Sequence, residues 1–76
     1  MEAMVVKIAG SFEQLARQAR DAKQLFEQIV LKYPEVDLAV LRRAAIYAVT
    51  SPTIDPKAVS KIHEVAMQLR ARLSVR

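Results

Sequence analysis

Between Leu38 and Val49 the chain runs through twelve residues of which only Arg42 and Arg43 are neither apolar nor tyrosine. Any fold this chain adopts has to find cover for them. Set at the helical angle of about 100° per residue, Tyr47, Val40, Ala44, Ala48, Leu41, Ala45, Leu38 and Val49 fall in one arc of roughly 200°, with Ile46 between the two arginines. A one-sided surface helix needs an apolar stripe of only about 100°. This stretch therefore asks for neighbours on two sides.

The material available to cover it is limited. Seventy-six residues make one domain, and a domain of that size buries only about 60% of the surface its unfolded chain exposes. With no cysteine and a single histidine, neither a disulfide nor one of the usual zinc sites can staple it. Association with another chain is the remaining way to add buried area.

Two proline-centred breaks divide the sequence. Pro34 disfavours helix at Tyr33 and donates no N–H, and Thr50-Ser51-Pro52-Thr53-Ile54 is a second interruption. Ahead of the first break, Ser11 and Gln14 form an S-x-x-Q capping box that predicts a helix start. Phe12, Leu15, Ala19, Ala22, Phe26, Ile29 and Tyr33 then recur at spacings of three and four, one long packing seam ending at Pro34. The short link to the next helix, which starts at Pro34 or with Asp37 as its cap, predicts adjacent antiparallel helices. After the second break, Asp55-Pro56 is an N-cap followed by proline at the first helical position. The last helix is expected to reach about Leu73 with Val59, Ile62, Val65, Ala66, Leu69 and Leu73 on one stripe. Residues 1–10 are expected to form an N-terminal arm. It is either a strand, for which Val5-Val6-Lys7-Ile8 argues and which would pair with another subunit, or a short helix stopped by Gly10. The expectation is an all-α three-helix bundle over 11–76 with that arm, completed by oligomerisation.

Ala22, Phe26, Ile29 and Pro34 have the spacing of the second half of a tetratricopeptide repeat, but Arg42, Ala45 and Pro52 break the pattern that should follow. No family is read from the sequence.

Catalysis finds little support. One glycine cannot build a phosphate-cradling loop, Ser60 and His63 lack an orienting acid, and Glu35 and Asp37 are explained by helix-start chemistry. No catalytic, cofactor-binding or metal-binding residue is assigned, and no cofactor is expected. The first residues carry an acid where a secretory signal carries positive charge, and no segment has 18 consecutive apolar residues. A cytoplasmic protein is expected.

Two binding surfaces follow. The leftover side of the Leu38–Val49 helix, with Val40, Ala44 and Tyr47, and the off-seam residues Leu25 and Val30 are expected to face a protein partner, with a homodimer favoured over a different chain. Such a chain would be a small regulatory, adaptor or assembly module. The alternative rests on charge. Residues 1–55 balance seven basic against seven acidic side chains, whereas 56–76 hold Lys57, Lys61, Arg70, Arg72 and Arg76 against Glu64 alone. With Arg42 and Arg43, the residues Lys57, Lys61, Arg70 and Arg72 would form a face for an anionic partner such as nucleic acid.

Overall fold

The structure, a computed structural model, describes residues 2–74; Arg76 lies outside them. It is all-helical, and the described residues form four helices: α1 (Glu2–Gln18), α2 (Ala22–Lys32), α3 (Leu38–Val49) and α4 (Pro56–Ser74). The Cα radius of gyration is 11.1 Å, close to the ~11 Å of a compact chain of this length.

There is no separate arm and no strand among the described residues. Helix α1 continues through Gly10 and Ser11 as one element of 17 residues, about 25 Å long, and delivers Val5, Ile8, Ala9, Phe12 and Ala16 to the core. Gly10 has no positive φ, so it does not terminate a helix. Ser11 is not an N-cap either: its hydroxyl lies 2.6 Å from that of Tyr33, which ties α1 to the end of α2.

The single long seam expected over 12–33 is folded into a hairpin. Asp21 caps α2 with an extended backbone, its carboxylate accepting from the Gln24 N–H at 2.9 Å, and the Gln24 side-chain oxygen accepts from the Arg20 N–H at 2.6 Å. This is a capping box displaced by one residue on its return leg. On the other side of the corner, Lys61 reaches across from α4. Its ammonium donates to the carbonyls of Ala16 at 3.0 Å and Ala19 at 2.6 Å, satisfying C-terminal acceptors of α1 with a cation at the negative end of the helix dipole. Periodicity hid the corner because both arms present the same stripe to the same core: Phe12, Ala19, Ala22 and Ile29 are all buried.

The remaining boundaries follow the prolines. Tyr33 ends α2 ahead of Pro34, and Asp37 occupies the N-cap of α3, though its side chain makes no capping bond. Asp55 caps α4, its carboxylate accepting from the Lys57 N–H at 2.9 Å, with Pro56 as the first helical residue. The expected adjacency of the helices flanking the 33–37 link is not observed. Among the described residues, α2 and α3 each pack on α1 and α4 and not on each other.

Most of the apolar arc of α3 finds cover within the chain, Tyr47 excepted. The helix packs on α4 and on α1, and the residues at the bottom of the contact are Leu41, Ala44, Ala45 and Ala48, all buried. Three alanines on this face, with their small side chains, leave room for two helices to pack on it at once. The core is completed by Leu25 and Ile29 of α2 and by Ala58, Ile62, Val65, Ala66 and Leu69 of α4.

Candidate functional site

With the inner face of α3 used up, its outer face carries Ala39, Arg43, Ile46 and Tyr47, flanked by the half-buried Arg42 and Val40. On α4 the residues beside it are His63, Met67 and Arg70, spaced at three and four and therefore on one face. Arg42, Ile46, His63, Ala66, Met67 and Arg70 line a shallow groove between the two helices. Its floor is apolar: Ala66 is buried, Ile46 is 41% exposed and Met67 60%. Its rim is two arginines and the histidine, and none of the lining residues is acidic.

A volume of about 140 Å³ is well below the ~300–1,000 Å³ of small-molecule sites. What such a groove offers is contact area and direction: apolar surface to cover, and guanidinium groups that present paired donors to carboxylate or phosphate. Tyr47, 46% exposed, lies farther round α3 and is not among the groove-lining residues. Among the described residues, no group of three or more His, Cys, Asp or Glu is placed to hold a metal ion, and no helix is long and apolar enough to cross a membrane.

The residues singled out from sequence are distributed unevenly. Leu25 and Ala44 are fully buried inside the chain and have no surface to offer a second one; Leu25 lies on the core face of α2, and Ala44 at the bottom of the α3 contact. Val30 and Val40 are half-buried and packed against the same core, which leaves Tyr47 as the exposed member of that set. The six basic residues do not form one face. Arg42 and Arg70 meet at the groove. Lys61 is taken up by the α1 carbonyls, and the Arg72 guanidinium sits over the Phe26 ring of α2, 4.9 Å from its centroid, a cation–π contact on the opposite flank of α4. Lys57 lies at the start of α4, thirteen residues or about 20 Å from Arg70, and Arg43 is exposed on α3 away from the groove lining.

Sequence reading missed Ile46, His63 and Met67 as parts of one site. The signal that could have found them is the exposed stripe Ser60, His63, Met67, Arg70 set against Arg42 and Ile46 one helix earlier. It is legible only once α3 and α4 are known to be neighbours.

Comparison of the chain with family models, with curated proteins and with solved structures found no match.

Proposed function

We propose that the protein is a non-enzymatic binding module, regulatory, adaptor or assembly in role, that acts through helix–helix association with another protein. The α3–α4 groove is its docking surface. The observation that carries this reading is the coincidence of exposed Ile46 and Met67 with Arg42 and Arg70 around one groove. An apolar strip edged by guanidinium groups is complementary to an amphipathic helix whose apolar residues are flanked by Asp or Glu. Two copies meeting groove to groove would bring four arginines together, so this surface calls for a partner of a different sequence. A nucleic-acid partner is the second reading, supported by the same arginine pair, but Lys61 and Arg72 are engaged elsewhere and add little to it.

The test uses fluorescence anisotropy with three probes: a synthetic helical peptide with Leu at positions i, i+4 and i+7 flanked by Glu, the same peptide with Gln for Glu, and a labelled duplex oligonucleotide. The Glu peptide is expected to bind at least about 10-fold more tightly than the Gln peptide, and Arg42→Glu/Arg70→Glu is expected to abolish that preference. Equal affinities for the two peptides would sink the docking surface. Steeply salt-dependent binding of the oligonucleotide alone would transfer the function to the second reading.

A further inference from the structure

The cap of Asp21 and Gln24 apart, nothing in the composition of the corner between α1 and α2 obliges the chain to turn there. Arg17 to Lys23 contains no glycine, proline or β-branched residue, and the apolar positions keep their spacing of three and four straight through it. In an uninterrupted helix the Ala16 carbonyl would accept from the Arg20 N–H and the Ala19 carbonyl from the Lys23 N–H. In the structure these acceptors are held by Lys61, the Arg20 N–H is held by the Gln24 side chain, and the Gln24 N–H is held by Asp21. Each bond at the corner stands in for one the straight helix makes with its own backbone. Among the bonds that hold the corner, only those of Lys61 come from outside the hairpin.

We propose that residues 19–21 are a hinge latched by Lys61, and that the partner of the opened form is a second copy of this chain. In that dimer α1 and α2 of each copy run as one helix over residues 2–32, and α1 of one copy seats on α3 and α4 of the other. The contacts of Val5, Ile8, Phe12 and Ala16 with the core are then remade between chains rather than within one. The two forms differ chiefly at the corner, and a short corner whose sequence is content to be helical is where such exchange begins. This inference is independent of the docking groove and places self-association on α1 and the inner face of α3 rather than on the outer face of α3.

The absence of native cysteine makes the test direct. Lys7 and Lys32 are exposed and are replaced by cysteine for spin labelling. Labelled chains are diluted into unlabelled ones so that only the distance within one chain is read. The Ser11–Tyr33 contact keeps these sites within ~20 Å in the closed form, whereas 25 residues of continuous helix separate them by about 37 Å. In a Lys61→Met background the molar mass by light scattering is expected to rise toward twice 8.5 kDa with concentration as the long distance appears, and Arg20→Gly added to it is expected to restore the short distance. The wild-type chain, unfolded and refolded at high concentration, is scored by the same two readouts, which decide the matter if Lys61→Met fails to fold. A folded Lys61→Met chain that stays monomeric with the short distance overturns the proposal. So does a dimer that keeps the short distance, which would instead be face-to-face association. Neither result touches the docking groove.

Discussion

Replacing Gly10 by alanine distinguishes a continuous α1 from an arm stopped at glycine by the sign of the effect. In the structure Gly10 is exposed inside a helix, its φ is not positive, and a Cβ built on it meets nothing within 4 Å. The added methyl group therefore costs no packing. What remains is the difference in helix propensity, ~0.8–1.0 kcal/mol in favour of alanine. With an unfolding entropy of about 2.1 cal/mol/K per residue, roughly 160 cal/mol/K for 76 residues, Gly10→Ala should raise Tm by about 5–6 °C. Urea titration followed by circular dichroism at 222 nm should show the midpoint rising with an unchanged slope. Were Gly10 a left-handed C-cap, alanine would lose about 1–2 kcal/mol instead, and Tm would fall. A fall of more than a degree or two would refute the continuous helix and restore residues 1–10 as a separate element.

Removing the hydroxyl of Tyr33 by Tyr33→Phe should cost ~0.5–1.5 kcal/mol through the bond to Ser11, and a double-mutant cycle with Ser11→Ala should return a coupling energy of similar size; additivity would mean the two hydroxyls do not meet. Ala48→Leu should destabilise by about 1–3 kcal/mol by overpacking the face that α3 presents to α1 and α4, while Ala39→Leu on the exposed face stays within ~0.5 kcal/mol. Denaturant midpoints for the two variants check this, and equal effects would show that the buried face of α3 has been misplaced.

The helix boundaries most legible in the sequence were those marked by chemistry that admits one reading. Pro34 and the pair Asp55-Pro56 fall where α2 ends and α4 begins, because a missing N–H and a fixed φ act locally whatever the tertiary context. Ser11-x-x-Gln14 was ambiguous: the same residues sit comfortably inside a helix, and Ser11 is used instead by Tyr33, 22 residues away. The corner at 19–21 carried its own signal, Asp21 followed by Gln24, but the apolar spacing continued through it and outweighed the cap. For α3 the arc of apolar residues is legible in the sequence, but which helices of the chain cover most of it is not. Ala44, expected from the sequence to face a protein partner, belongs with Ala45 and Ala48 to the buried face that α3 presents to α1 and α4. The groove was illegible for a related reason, since Arg42 and Arg70 are 28 positions apart and nothing in their spacing says that they meet.

The bonds from Lys61 to the end of α1 span 42 and 45 positions of sequence, and that span bears on the order in which the molecule assembles. The hairpin of α1 and α2 is built from local contacts and can begin to form early, but its corner is completed only when more than half of the chain has been closed into a loop. Substitutions at Asp21, which acts within the hairpin, are expected to slow folding. Substitutions at Lys61 are expected to leave the folding rate nearly unchanged and to speed unfolding. The same corner would then record the first and the last events of folding on its two sides.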